Sequence, residues 1–249
     1  MLTLLTFPGD ATSPTHSPFC LKAMCLLEMA GQDWQPELVQ DLAILPLGRA
    51  PVLRAGDRLI PDSHHIQGYL EALGADFYPG VSDQDRAIAH ALIRMTEENL
   101  RTGLVYSRWL DPQIWPIMRE AFFADVPAPA RADVANGVQE HVRAGLMAHG
   151  IAQFDPADRL HRLVKDVDAI ELTLGRGPFL FGDLPTAADA AIAPVLDMLM
   201  TLPVETDIKR AVASRHTLTA YVSRVRAAIY PSMQKFSTAT NAVAETLSA

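Results

Sequence analysis

Three short pairs in the first third of the sequence, Ser17-Pro18, Ala50-Pro51 and Asp62-Ser63, have the residue types and spacing to do chemistry. Serine is a favoured N-cap and proline a favoured first helical residue, so Ser17-Pro18 reads as a helix start. A helix N-terminus presents unpaired N–H groups and partial positive charge, which stabilise an anion placed there. A thiolate is such an anion, and a serine hydroxyl can donate a hydrogen bond to it and lower the thiol's pKa. The plainer reading is that Ser17 only caps the helix, and for an isolated Ser-Pro pair that is the commoner case. Pro51 begins a strand signal, where it cannot donate to a sheet ladder. It is either an ordinary edge proline or a cis-proline whose preceding backbone pairs with an extended peptide. Asp62-Ser63 stands at another helix start. It is either a plain cap or a holder for an α-amino-acid head, with the carboxylate at the amides and the ammonium at Asp62.

Other candidates carry less. His64 and His65 are adjacent, so on a helix their side chains point about 100° apart, and no metal-ligating partner lies at suitable spacing. The expectation is no metal. Glu97-Glu98 is expected to form a solvated helical face. Met95, Asn99 and Tyr106 lie near one stripe of a long helix and are equally readable as core or interface. Thr186 to Asp189, after Gly182-Asp183-Leu184-Pro185, is a capping box with Asp in place of Glu, and structural on any reading. Cys20 and Cys25 are the only cysteines. On a helix they are separated by roughly 140°, so they are expected to stay free thiols.

The elements that must position these residues change character along the chain. Leu2 to Phe7 reads as a buried strand closed by Pro8-Gly9. A helix follows from Ser17 to a stop at Gly31, then a strand over 34–39. Ala50–Arg54 and Asp57–Ile60 flank Ala55-Gly56 as a hairpin. Asp62-Ser63 then opens a helix that Gly74 stops. From about Ser82 strand signals almost vanish. Ile88, Leu92, Met95 and Asn99 share a face of a helix running to about Leu110. Further helices are expected near 112–124, 130–149, 156–175, 186–202 and 214–228. The expected domains are therefore 1–78 and an all-helical 83–235, divided at Asp76 to Ser82. A small, polar tail over 236–249 is expected to fray.

Composition narrows the function classes. With 249 residues, 49% of them hydrophobic, the chain can bury a full core. A net charge of −8 and a pI near 5.4 argue against nucleic-acid or anionic-membrane partners. No basic n-region opens the chain, and no apolar run is long enough to span a bilayer, so no membrane anchor and a cytoplasmic location are expected.

Taken in order, "SPFC" after the first strand, "LPLGRAPVL", "PDSHHIQGYLE" and "GPFLFGDLPTAADAAIAPVL" resemble the glutathione transferase superfamily over nearly the whole chain. "SPFCLKAMCLLEMAG" and "LIRMTEENL" look most like its metaxin and failed-axon-connections branch. The resemblance implies a thioredoxin-like N-terminal domain followed by an all-helical one, and glutathione as co-substrate. It puts Ser17 at the catalytic position, in place of the first thiol of a C-x-x-C motif, with Cys20 in the second position. That order makes disulfide exchange doubtful. Ala50 falls where the backbone binds the cysteinyl part, with Pro51 as the expected cis-proline. Asp62 and Ser63 fall on the γ-glutamyl site. Arg49 is placed to meet the glycyl carboxylate. Met95, Asn99 and Tyr106 fall along a helix that borders the pocket for a small apolar electrophile. A homodimer is implied as well. The first function implied is transfer of glutathione to an electrophile. The second is a non-catalytic binding or scaffold role, as in metaxin-like relatives, a branch that often acts at membranes. The third is a glutathione-dependent thiol reductase using Cys20.

Overall fold

The computed structural model describes residues 1–39, 41–175 and 177–236. The tail expected to fray lies, beyond Phe236, outside the described residues. The opening segment follows the expected order: β1 (Leu2–Thr6), α1 (Pro18–Met29), β2 (Trp34–Leu38), β3 (Val52–Ala55), β4 (Arg58–Pro61) and α2 (Ser63–Ala72), with a 3-10 turn over Leu42–Ile44. The four strands form one sheet in the order β2-β1-β3-β4. β1 pairs parallel with β2, and antiparallel pairs join β1 to β3 and β3 to β4. Pro36 sits in β2, an edge strand, where its missing N–H costs no ladder bond. The hairpin begins two residues later than expected and turns at Gly56-Asp57. Gly56 has φ +60, a left-handed value that favours glycine. The expected strand-rich start and helical remainder are both present.

After α2 come α3 (Asp83–Met95), a π turn (Thr96–Leu100), α4 (Arg101–Leu110), α5 (Trp115–Phe122), α6 (Ala128–His149), α7 (Pro156–Leu174), α8 (Ala187–Met200), α9 (Asp207–Ala213) and α10 (His216–Ile229). The single helix expected to Leu110 is thus broken by a π turn, which adds a residue to one turn and shifts the register beyond it. Glu97, expected in a solvated face, is buried there and pairs with Arg94. Helix α9 was not expected. Thr206 caps it, accepting the Lys209 N–H at 3.2 Å.

The described chain forms two compact units. One takes Met1–Ala89 with the described parts of Arg176–Pro194 and Tyr221–Ala249. Its core includes Leu4, Leu5, Leu21, Met24, Val52, Leu53, Ile66 and Leu70, all nearly inaccessible. The other takes His90–Gly175 and Val195–Ala220 and buries Leu100, Leu104, Ile114, Leu163, Val167 and Ile170. At its centre Gly103 lets α4 approach α7: a Cβ there would fall 2.4 Å from Leu163 Cδ1.

The capping box of α8 is a buried polar knot in the first unit. Asp189 Oδ2 accepts from the Thr186 amide at 2.7 Å and its hydroxyl at 2.8 Å. Oδ1 accepts from the Leu180 amide at 3.0 Å and the Tyr221 hydroxyl at 2.9 Å. Burial pushes the Asp189 carboxyl up, while these four donors pull the other way. Each buried donor left without a partner costs about 1–3 kcal/mol. Asp189→Ala orphans all four, so a loss of about 3–5 kcal/mol in urea unfolding is expected. A loss below about 1 kcal/mol would show that water or relaxation serves these donors equally well.

Candidate functional site

The pairing registers bring the three chemical pairs to one end of the sheet. Leu5, near the C-terminal end of β1, pairs with Val52, the first residue of β3 after Pro51. Val52 in turn pairs with Pro61, the last residue of β4, immediately before Asp62-Ser63. The loop from β1 leads back into α1 at the same end. Carboxyl ends of strands are where α/β proteins commonly collect ligand sites.

Ser17 is the N-cap of α1, with Pro18 in its first turn. Its Oγ accepts the Cys20 N–H at 3.3 Å, and its own N–H donates to Thr15 Oγ1 at 3.2 Å. The cap uses a lone pair and leaves the O–H hydrogen to donate, so capping and thiolate stabilisation do not compete. The loop that carries Ser17 is held tightly. Asp10 Oδ1 accepts from the Thr12 amide, the Thr12 hydroxyl and the Ser13 amide at 2.7, 2.7 and 3.0 Å. Partial burial works against ionisation of Asp10, but these donors and His16 hold its carboxyl below the usual value. Gly9 permits the turn, since a Cβ there would lie 2.0 Å from the Ser13 carbonyl oxygen and 2.4 Å from the Thr15 nitrogen.

The Ala50–Pro51 bond is cis, as expected from the sequence, and both residues are buried. Asp62 is the sole non-glycine residue at positive φ among the described residues, with φ 74 and ψ 137. Such a conformation costs on the order of 1–3 kcal/mol and persists only where its surroundings fix it. Here its N–H donates to the Pro51 carbonyl at 3.1 Å, its carbonyl accepts the Ile66 N–H at 2.9 Å, and Oδ1 accepts the His64 N–H at 2.9 Å. The cis-proline and the start of α2 are therefore linked directly. Ser63 is buried at the first turn, and Arg49 is exposed in the preceding loop.

Cys20, expected among the substrate-binding residues, is fully buried behind this surface. Burial pushes its thiol up, against hydrogen bonds from Thr6, Phe7, Ser17 and Thr15. A thiol so buried is poorly placed to act as a nucleophile, and Cys25 is buried too. His64 and His65 are exposed, and His65 Nδ1 lies 3.1 Å from the Pro61 carbonyl. No group of three metal-ligating side chains occurs among the described residues.

The residues expected along the electrophile pocket lie in the second unit. Met95 ends α3, half-buried. The Asn99 amide, in the π turn, donates to Asp166 of α7, so its side chain acts as a strut. Tyr106 lies under the Arg159 guanidinium, 3.7 Å from its carbon, and lines a cavity of about 110 Å³ with Ser107, Asp111 and Ile208. Sequence reading missed Thr15 and Gly9 as supports of Ser17. The signal for Gly9 was its place directly after the strand; nothing marked Thr15.

The family profile for the glutathione S-transferase N-terminal domain matches residues 18–114, and that for the glutathione S-transferase C-terminal domain matches 156–224. Human Metaxin-2 is 23% identical over 186 residues, covering 72% of this chain and 69% of its own length. Glutathione S-transferase III in apo form superposes with a TM-score of 0.59 at 22% identity, covering 96% of each chain. A beta-etherase from Sphingobium sp. gives 0.64 at 18% identity, covering 91% of this chain and 95% of its own.

Two outcomes test this site. Gly9→Ala is expected to displace the loop that holds Ser17 and to lower the thermal midpoint, because the added methyl meets backbone on three sides. An unchanged midpoint would show that the loop yields. Both thiols are expected to resist alkylation until the protein unfolds. The unfolded thiol ionises near its ordinary 9.0, while folded Cys20 keeps its proton to higher pH. Unfolding thus releases a proton above that pH, and stability falls as pH rises through the range. Burial of Tyr78, pushed up to about 12, and of Tyr221 works in the same direction. A urea midpoint that stays flat through the alkaline range would contradict this.

Proposed function

The chain belongs to the glutathione S-transferase superfamily, and from that premise we propose that it binds glutathione at the sheet end described above and transfers it to a small apolar electrophile. The observation that supports the reading is the gathering of two helix starts and a cis-proline edge at one end of the sheet, with a serine hydroxyl at the first of the helix starts. In this reading the Ala50 backbone pairs with the cysteinyl part of glutathione. The start of α2 takes the γ-glutamyl carboxylate at its amides and at Ser63. Asp62 Oδ1 is engaged by His64 N–H, which leaves Oδ2 for the ammonium. Arg49 meets the glycyl carboxylate. Ser17 O–H then donates to the sulfur, favouring thiolate at neutral pH.

Such a transferase asks little more of the protein. Bringing thiolate and electrophile together in the right orientation supplies most of the acceleration. The electrophile pocket is assigned to the stripe containing Met95 and Tyr106, with Asn99 as its support. The protein is placed in the cytoplasm and as a homodimer. Among the described residues no helix is long and apolar enough to cross a membrane.

The similarity to Metaxin-2 favours a second reading, a glutathione-site scaffold that binds without turnover. The reductase reading loses its residue, because Cys20 is buried and its thiol pushed up.

Retention on immobilised glutathione is the first test, and no retention would sink the glutathione reading. Steady-state kinetics with an aromatic electrophile then separates enzyme from scaffold. Removing one donor aimed at developing charge commonly costs about 10²–10³ in rate, and solvent access at half-buried Ser17 makes the lower end the expectation. Ser17→Ala should therefore lower kcat far more than it weakens glutathione binding, while Ser63→Ala should raise KM for glutathione with a smaller effect on kcat. The first change also removes a cap worth about 1 kcal/mol, so folding is confirmed first. Equal kcat in wild type and Ser17→Ala would leave Ser17 an N-cap and favour the scaffold.

A further inference from the structure

We propose that the cavity between α4, α7 and α9 binds a small organic carboxylate, with the Arg159 guanidinium as the group that holds it. Every lining residue belongs to the second unit, so the proposal stands apart from the glutathione reading.

Arg159 carries the argument. It stands near the start of α7, and only 8% of it is exposed. An arginine is rarely so buried unless its charge is paired. Among the described residues no carboxylate forms an ion pair with it, and its Nη1 alone has an acceptor, the Phe154 carbonyl at 2.7 Å. The guanidinium lies on the Tyr106 ring, its carbon 3.7 Å from the ring centre. Stacking takes up a face of the guanidinium plane and leaves the Nε and Nη2 edge to donate. That edge is a rigid fork that matches the two oxygens of a carboxylate.

The cavity around it suits a short ligand with an apolar tail. Its volume is about 110 Å³. An apolar cavity of about 150 Å³ holds benzene, so there is room here for about four or five non-hydrogen atoms. Buried Leu163 and Ile208 line it with hydrocarbon, while exposed Pro156 and Asp207 mark where it meets solvent. Ser107 adds no donor, because its hydroxyl hydrogen goes to the Gly103 carbonyl at 3.0 Å. Two lining carboxylates are engaged elsewhere. Asp111 accepts the Gln113 and Ile114 amides at 2.8 and 3.3 Å, and Asp207 accepts from Arg210 at 2.9 Å. Their charges repel a dianion more than a monoanion. A carboxylate is therefore favoured over a phosphate.

The test is isothermal titration calorimetry with propionate at fixed ionic strength. Saturable binding to one site in the millimolar range is expected, within what a ligand of about five non-hydrogen atoms can supply. Propionamide, its neutral isostere, should bind about tenfold more weakly or less, and inorganic phosphate should bind more weakly than propionate. Arg159→Lys keeps the charge but replaces the fork by a point charge, and should weaken propionate by about tenfold. Circular dichroism confirms folding. Should Arg159→Lys fail to fold, Leu160→Phe takes its place. It keeps Arg159 and narrows the cavity that Leu160 lines, with the same loss expected. Absence of saturable heat overturns the proposal. Propionamide binding as well as propionate would reduce the site to an apolar hole, and phosphate binding as well or better would overturn the ligand class. Undiminished propionate binding by the variant would place the ligand elsewhere and overturn the role of Arg159.

Discussion

A helix that begins inside a fold must find acceptors for its first amides, and at α1 that acceptor is a single hydroxyl. The bond from Cys20 N–H to Ser17 Oγ fixes where the helix starts. It also fixes where a hydrogen-bond donor stands at the carboxyl end of β1. Much of the surrounding chain serves to hold that one oxygen in place. The close turn at Gly9, the three donors gathered by Asp10 and the Thr15 hydroxyl under the Ser17 amide leave the loop little freedom. A cap worth about 1 kcal/mol for stability thus sets the position of the hydroxyl on which the transferase reading rests.

The second helix start shows the same economy with a cost attached. Asp62 keeps a positive φ that a glycine would adopt more easily. Glycine would lack the carboxylate that caps His64 N–H. Strain of about 1–3 kcal/mol is offset by three hydrogen bonds, one of them to the carbonyl of the cis-proline. Local conformation and site geometry are one constraint here, because relaxing φ would break the link between α2 and Pro51.

The sequence made the two helix starts, the hairpin and the α8 capping box readable, since each depends on neighbours within four residues. Asp189 was visible as a box residue three positions from Thr186. Its bonds to Leu180 and to Tyr221, thirty-two residues away, were not. The π turn was hidden for a different reason. Ile88, Leu92, Met95 and Asn99 keep a perfect helical spacing, and nothing in "MTEENL" announces an inserted residue. Only packing against α7, where Asn99 meets Asp166, turns Glu97 inward and shifts the register. Short α9 escaped because seven residues carry too few turns for periodicity to show. The burial of Cys20 was missed because position on a helix was read without the strand beneath it, where Thr6 and Phe7 close over the sulfur.

That burial decides what the order of residues in the motif means. A thiol at the cap position of α1 would sit at the open end of the helix, where the unpaired amides and partial positive charge favour ionisation. The same thiol three residues on faces the sheet, excluded from water, and keeps its proton. Exchanging Ser and Cys between these positions therefore does more than delete a nucleophile. It puts at the open position a hydroxyl, which does not ionise near neutral pH but can donate a hydrogen bond, and puts beneath it a thiol excluded from water. The Cys20 sulfur is withdrawn from solvent, and in the glutathione reading the place at the helix end is left for the sulfur of the ligand. For a binding protein without turnover the backbone edge at Ala50 and the start of α2 would already hold the ligand. In the transferase reading the donor at Ser17 would add differential stabilisation of the thiolate over the thiol, which is the part that separates catalysis from binding.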